Sequence, residues 1–444
     1  MTLIEQALST ATDTREFRVG KGILPQTAAV FAKNFPGKTA KIVADETTWR
    51  VAGEKVLAIL KNAGIPCAEP LIFPAQPQPY ADVGFLATVH AAIEAEGPDC
   101  RAVAVGSGTI NDLCKRASTE LERPYVCVAT AASVDGYASF GAPITKENFK
   151  KTWPCAAPKA IVADSEILLT APRDLTASGY ADLIAKIPSG ADWIIADALD
   201  GITIRPDIWA TTQEPLRGWI GNPKALSAGD PDAMNALFTG LAMTGFAMQT
   251  MHDSRPASGA EHLLSHCWEM HHITRADGTT PSHGEKVGIG ALCTTKIMED
   301  FFAEPFTAAD IDAAIAAYPS WEDREAFVRT QFEPGLLLDE ALVVCRAKHL
   351  TSERLRARLE ALVAKWDDLA TRVSKQIYPS PVLREMLADA GCPVTPEGIG
   401  VKTEDVPVIA VRAQLIRNRY TILDLAFESG RLNRLAKSCV TVYG

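Results

Sequence analysis

The chain has 444 residues, 47% hydrophobic and 22% charged, with a formal net charge of −10. That length admits two or three domains of ordinary globular composition, and the acidic balance argues against a nucleic-acid phosphate surface as partner. No stretch approaches the ~20 apolar residues of a membrane span.

The opening, MTLIEQALSTATDTREF, carries early acids and no apolar core, so it does not read as a secretory leader. The ten cysteines are scattered without a Cys-x-x-Cys pair. They read as reduced, mostly buried thiols, and the expected location is cytoplasmic.

To about residue 168, short apolar runs alternate with helix-like segments, the pattern of a parallel α/β sheet. Lys41–Asp45 is a strand ending in an acid, with a helix following to about Asn62. Pro70–Phe73 is a second strand, followed by an amphipathic helix at Val83–Ala95. Ala102–Gly106 is a third, feeding a glycine turn and a helix; Tyr125–Val128 and Lys159–Asp164 complete the set.

Past the loop Leu169–Asp174 the strands vanish. Helical periods take over at Asp174–Lys186, Asp232–Met251, Ile311–Ala317, Leu336–Ala347 and Ser352–Val373. Pro379, Pro381, Pro393 and Pro396 mark a turn-rich stretch between late helices. The expected organisation is an α/β dinucleotide-binding domain over 1–168 and a helical metal- and substrate-binding domain over 169–444.

Three features carry chemistry. Gly106-Ser-Gly-Thr-Ile-Asn-Asp112 lies where a strand gives way to a helix, the edge at which open α/β sheets bind ligands. Its glycines would let a phosphate approach free amides, although a tight turn alone would read the same. Asp45 suits a ribose hydroxyl or equally a helix N-cap. Ala129–Ser139 is a small-residue loop with one acid, Asp135, suited to a flat ring and a polyol, or to a solvated turn.

The third feature is histidine. Six of the eight histidines fall between His252 and His283. His262 and His266 share one helix face, and His283 comes from a following loop. A carboxylate is wanted beside them, and Asp182, read as opening a helix that runs into Pro188, is the best candidate. Nitrogen and oxygen donors suit zinc, iron or nickel, and three of them with an open position make a catalytic site. His271 and His272, adjacent and so facing different ways, read as structural, as do His90 and His349.

Together these residues resemble the sn-glycerol-1-phosphate dehydrogenases of the dehydroquinate synthase-like and iron-containing alcohol dehydrogenase superfamily. The matching pieces are GSGTIND (106–112), TAASVDGYAS (130–139), SGYADLIAKIPSGADW (178–193), SRPASGAEHLLSH (254–266) and SHGEKVGIG (282–290), with AGCPVTPEGIG (390–400) and IRNRYTILDLA (416–426) later. The likeness is weakest from about 300 to 378.

The resemblance implies a Rossmann-like N-terminal domain and an all-α C-terminal metal-binding domain. It implies Asp182, His262 and His283 as metal ligands, with zinc first and nickel or iron as alternatives. It implies His266 and Asp135 as substrate contacts, and a second role for Asp182 against substrate. Dinucleotide contacts would be Asp45, Gly106, Ser107, Gly108, Thr109, Ile110, Thr130, Ala131, Ala132, Ser133 and Ser139.

Lys186 stands where many iron-type alcohol dehydrogenases carry a further histidine, which disfavours a four-ligand iron site. Dehydroquinate synthases usually carry glutamate where Asp182 stands. The implied reaction is NAD(P)H-dependent reduction of dihydroxyacetone phosphate to sn-glycerol 1-phosphate, with Asp45 favouring NADH. Lys186, Arg255 and Lys286 lie near these motifs in sequence and are equal candidates to meet the phosphate, and a homodimer or larger homo-oligomer is expected. The competing readings are a dehydrogenase of glycerol or another polyol phosphate, a non-redox cyclase similar to dehydroquinate synthase, and a non-catalytic binding protein on the same scaffold.

Overall fold

The computed structural model describes every residue except Pro77, Glu147 and Asn148. Its strands are β1 (Glu16–Gly20), β2 (Thr39–Asp45), β3 (Leu71–Phe73), β4 (Cys100–Gly106), β5 (Val126–Ala129), β6 (Ala142–Lys146), β7 (Phe149–Trp153) and β8 (Ala160–Asp164). One parallel sheet runs β1-β8-β5-β4-β2-β3, and β6 pairs with β7 as an antiparallel hairpin.

The sheet forms because its central strands are near-continuous apolar runs, buried on both faces as a parallel sheet requires. Ile42, Val43, Val103, Val105, Val126, Val128, Ile161 and Val162 are all inaccessible to solvent. All five strands expected from the sequence are present. β1 and the hairpin were not anticipated, because EFRVG, APITK and FKKTW interleave polar residues and lack an apolar run. β1 is an edge strand with one neighbour, so it needs no such run.

The strand order reverses direction at β4. β2 leads outward to β3, and the chain then returns to lay β4 on the other side of β2, before β5 and β8 extend that way. The carboxyl ends of β2 and β4 therefore flank a topological switch point, where doubly wound sheets place ligands. Asp45 and Gly106 lie level there, each two residues beyond the paired Val43 and Ala104.

The helices that matter for the site are α1 (Gly108–Glu120), α2 (Arg173–Ile184), α3 (Lys186–Leu199), α4 (Pro231–Met251), α5 (Ala260–Met270) and α6 (His283–Ala303). The period expected over 174–186 is interrupted at Ala185, and that over 352–373 is two helices, Ser352–Ala364 and Trp366–Gln376, meeting at Lys365. Among the described residues no helix is long and apolar enough to cross a membrane. All ten cysteines are free thiols and all but Cys67 are buried. Burial pushes the Cys127 and Cys267 thiols up to about 12.

The chain divides into two compact units, Met1–Leu183 with Ala210–Ser254, and Ile184–Trp209 with Arg255–Gly444. This differs from the division at 168/169 expected from the loss of strands, because α4 is helical yet packs with the sheet. Phe238 and Phe246 of α4 meet Phe17 of β1 at ring-centroid distances of 6.2 and 5.6 Å. Gln249 of α4 donates to the Ala138 carbonyl at 2.5 Å and to the Thr14 hydroxyl at 2.9 Å. Secondary-structure type marks where strands stop; it does not say which unit a helix packs on.

In the second unit, Arg358 binds both Asp200 and Glu428 at 2.6 Å, and Lys348 binds Asp424 at 2.8 Å. Arg358–Glu428 and Lys348–Asp424 fasten the stretch 300–378 to the C-terminal helices, and Arg358–Asp200 fastens it to the end of α3. α5 and α6 approach so closely that a Cβ on Gly290 would stand 2.4 Å from the Glu261 carbonyl oxygen. A side chain there must push the helices apart. Gly290→Ala is expected to cost about 1–3 kcal/mol, the usual range for overpacking, read as a lower denaturant midpoint. An unchanged midpoint would contradict the contact.

Candidate functional site

The acid comes from α2. Ser178, Gly179 and Asp182 share one helix face, which lies against the loop following β5. Ser178 Oγ donates to the Ser133 carbonyl at 3.1 Å. A Cβ on Gly179 would stand 1.8 Å from the Ala132 carbonyl oxygen, so only glycine permits this approach. The Asp135 N–H then donates to Asp182 Oδ2 at 2.9 Å. Asp182 is fully buried. It sits in the last turn of α2 and does not open a helix, contrary to the expectation.

The histidines come from two helices. His262 and His266 lie one turn apart on α5, and His283 is the first residue of α6. That start is fixed by a capping box: the Glu285 N–H donates to the Ser282 hydroxyl at 3.2 Å, and the Ser282 N–H donates to the Glu285 carboxylate at 2.6 Å. Asp182, His262 and His283 each offer a ligand atom, and these atoms all lie within 4.8 Å of one another. The His266 ring stands beside them, its centroid 6.3 Å from His262 and 6.1 Å from His283.

Two glutamates stand in hydrogen-bond contact with these rings. Nδ1 of His262 donates to Glu261 Oε1 at 2.7 Å, and the Gly259 N–H donates to the same oxygen at 2.7 Å. Nδ1 of His283 donates to Glu269 Oε1 at 2.8 Å, and Nδ1 of His266 to Glu269 Oε2 at 3.1 Å. A carboxylate only accepts, so the proton of each neutral ring sits on Nδ1 and Nε2 keeps its lone pair.

Burial holds the His266 imidazole down to about 4, against the opposing pull of Glu269 and with help from Arg417 and His283. It is therefore neutral near pH 7. Burial resists ionisation of Glu269, but His283 and His266 outweigh it and hold that carboxyl well below its usual range. Behind Glu261, burial and then the Glu261 charge push Asp192 up to about 8. Asp192 accepts the Ala260 and Ile422 N–H groups at 2.7 and 2.6 Å.

One carboxylate and two imidazoles form a borderline nitrogen–oxygen donor set. Zinc, iron and nickel accept such a set, whereas magnesium and calcium prefer oxygen alone. The cluster therefore fits a divalent ion of the first group. The other clustered histidines lie elsewhere. His252 ends α4 in a left-handed conformation with its ring 5.8 Å from Phe140; His271 contacts Arg412, and His272 takes a positive φ.

At the sheet's switch point, Ser107 precedes α1 without a side-chain cap, leaving the first amides of that helix pointing at the turn. Ile110 lies beneath the turn, and a Cβ on Gly106 would stand 2.6 Å from the Ile110 Cβ. Gly108 and Thr109 are half-buried. Thr130, Ala131, Ala132, Ser133 and Ser139 are buried, and Ser139 Oγ donates to the Gly136 carbonyl at 3.2 Å. Asp45 caps a helix: its Oδ1 accepts the Thr47 and Thr48 N–H groups at 2.8 and 2.9 Å.

Several contributors were missed from the sequence. Lys115 is a buried cation whose ammonium donates to the Gly136 and Gly141 carbonyls at 2.7 and 3.1 Å, holding the loop that carries Asp135. Nothing in its local pattern announces this. Glu269 was more accessible to reasoning, since it follows His262 by seven residues and His266 by three, the spacing of one helix face.

Residues 18–172 match the family model described as iron-containing alcohol dehydrogenase. The chain is 31% identical over 388 residues to the glycerol-1-phosphate dehydrogenase (NAD(P)+) of Geobacillus stearothermophilus, covering 86% of this chain and 85% of that one. The corresponding enzyme of Halalkalibacterium halodurans is 36% identical over 263 residues, covering 58% of this chain and 64% of that one. For Geobacillus thermodenitrificans the alignment is 34% identical and again covers less than two thirds of the relative, 62%.

Among solved structures, a maleylacetate reductase from Agrobacterium tumefaciens aligns with a TM-score of 0.61 at 13% identity, covering 96% of each chain. The glycerol dehydrogenase from Schizosaccharomyces pombe aligns at 0.59 and 16%, covering 98% of this chain and 90% of that one. At such identities they bear on the fold alone, and they match the expected pairing of a Rossmann-like β/α domain with an all-α domain. The motifs, the architecture and the long alignment agree: the chain belongs to the glycerol-1-phosphate dehydrogenase family, within the iron-containing alcohol dehydrogenase superfamily.

Proposed function

We propose that this protein catalyses reversible hydride transfer between NAD(P)H and carbon 2 of dihydroxyacetone phosphate, giving sn-glycerol 1-phosphate. The observation that supports it most is the convergence of Asp182, His262 and His283 within 4.8 Å in a member of this family. In this reading those three hold one divalent ion, zinc first and nickel or iron next. Once held, the ion supplies a Lewis acid for the substrate oxygen. Reduced nicotinamide supplies the hydride.

The remaining work falls to the chain. His266, neutral and with Nε2 available, accepts a hydrogen bond from a substrate hydroxyl or passes a proton. Asp135 orients hydroxyls, while its N–H keeps Asp182 in place. The amides from Gly106 to Ile110 at the start of α1 receive the dinucleotide phosphates, and the loop from Thr130 to Ser133, with Ser139, borders the dinucleotide.

The substrate phosphate calls for cations. Lys286 donates to the Pro281 carbonyl at 3.1 Å and Arg255 to the Tyr420 carbonyl at 2.9 Å, so both are already oriented. Lys186 is the buried first residue of α3, and Arg417, whose charge reaches His266, adds a fourth. A cytoplasmic homodimer or larger homo-oligomer completes the proposal.

The direct test is NADH oxidation with dihydroxyacetone phosphate before and after chelation, with zinc and nickel restored. Turnover should vanish with the metal and return with it. Equal turnover on unphosphorylated dihydroxyacetone would favour a polyol dehydrogenase, and no net change in the reduced-nicotinamide absorbance would favour a cyclase.

His262→Ala is expected to lose bound metal and activity together, and stoichiometric metal in that variant would refute the ligand assignment. His266→Ala should depress turnover more than metal content; loss of the metal as well would make His266 a ligand.

Asp45 should disfavour the 2′-phosphate of NADPH. Two like charges about 4 Å apart repel by roughly 1–4 kcal/mol between bulk water and a protein surface. Asp45→Ser keeps a capping hydroxyl and is expected to raise kcat/KM for NADPH relative to NADH tenfold or more. A ratio unmoved by the change would place Asp45 away from the ribose.

A further inference from the structure

Glu269 is not among the ligands, substrate contacts or dinucleotide contacts expected from the sequence, yet its two carboxylate oxygens are divided between two histidines of the proposed site. Oε1 receives Nδ1 of His283 at 2.8 Å, and Oε2 receives Nδ1 of His266 at 3.1 Å. The Lys286 ammonium, from the helix that starts at His283, stands 3.7 Å from Oε1. The side chain is mostly buried, 16% exposed, so these partners meet it with little competition from water.

We infer that Glu269 is a positioning residue shared by the metal centre and the substrate histidine, one carboxylate fixing the tautomer of both imidazoles. The inference rests on the function proposed above. Its physical basis is that a carboxylate presents two equivalent acceptors. Each Nδ1–H is satisfied, so His283 turns Nε2 toward the ion and His266 turns Nε2 toward the substrate. A carboxamide has one acceptor and one donor. Glu269→Gln therefore leaves one ring facing an N–H, and that ring must adopt the other tautomer or turn away. The same carboxylate links the two roles, so disturbance at either histidine reaches the other through a single side chain.

The test compares wild type with Glu269→Gln, Glu269→Ala and Glu269→Asp. Zinc affinity is measured by competition with a chromophoric chelator, imidazole tautomers by ¹⁵N NMR of histidine-labelled protein, and kcat and KM by NADH oxidation. Melting of the metal-free proteins serves as a check on folding. Glu269→Ala is expected to weaken zinc binding about 10–100-fold, the usual effect of losing a partner behind a metal ligand. Glu269→Gln should change the tautomer of His266 or of His283, lowering kcat in the first case and zinc affinity in the second. Glu269→Asp, which keeps both acceptors one methylene short, should recover part of the loss.

A wild-type protein that binds no zinc, nickel or iron would sink the metal reading and this inference with it. Wild type binding metal while Glu269→Gln matches it in affinity, tautomers and turnover would overturn the inference alone.

Discussion

An imidazole can offer a lone pair to a cation only from the nitrogen that carries no proton, and in this protein two glutamates make that choice. Glu261 takes the Nδ1–H of His262; Glu269 takes those of His283 and His266. With Nδ1 engaged, Nε2 is the donor on every ring. Without those carboxylates the rings would be free to rotate and exchange tautomers, and the convergence with Asp182 would be a proximity with no chemistry. The arrangement also explains an otherwise costly concentration of buried carboxyl groups. Burial and then the Glu261 charge push Asp192 up to about 8, while the Ala260 and Ile422 N–H groups each donate to one of its oxygens.

Such closeness has to be built, and small residues build it. Gly290 lets α6 lie against the Glu261 carbonyl, and Gly259 leaves space at the start of α5, where a Cβ would stand 2.5 Å from Asp192 Oδ2. Gly179 lets α2 lie against the loop after β5, bringing Asp182 to the Asp135 N–H. Each is a place where one methyl group would meet backbone or carboxylate oxygen, and each adjoins a residue of the proposed site. Lys115 and Gln249 hold the far side of the same loop by donating to its carbonyls. The loop is rich in small residues because it is crowded, a reason independent of any ligand.

The agreement between sequence and structure was uneven for physical reasons. Strands β2, β4, β5 and β8 announced themselves because a strand buried on both faces must be apolar along its length. β1 and the β6–β7 hairpin did not, since their partly exposed residues interleave Arg, Lys and Thr. Asp45 illustrates a different ambiguity: one residue type suits both an N-cap and a ribose contact. The structure puts both cap bonds on Oδ1. Compact units follow packing and not element type: α4 is helical by its period, yet it packs on Phe17 of the sheet.

The chain's own pattern determined the sheet, the helical second half, and the residue types able to bind a borderline cation. Those are properties of neighbours along the sequence, set by periods of two and 3.6 residues. Only the tertiary structure decided which two of six clustered histidines meet an aspartate about eighty residues earlier in the chain, and that Glu261 and Glu269 stand behind the rings. Contacts between distant segments depend on how closely helices and loops can approach, and that depends on glycines whose role no local pattern reveals.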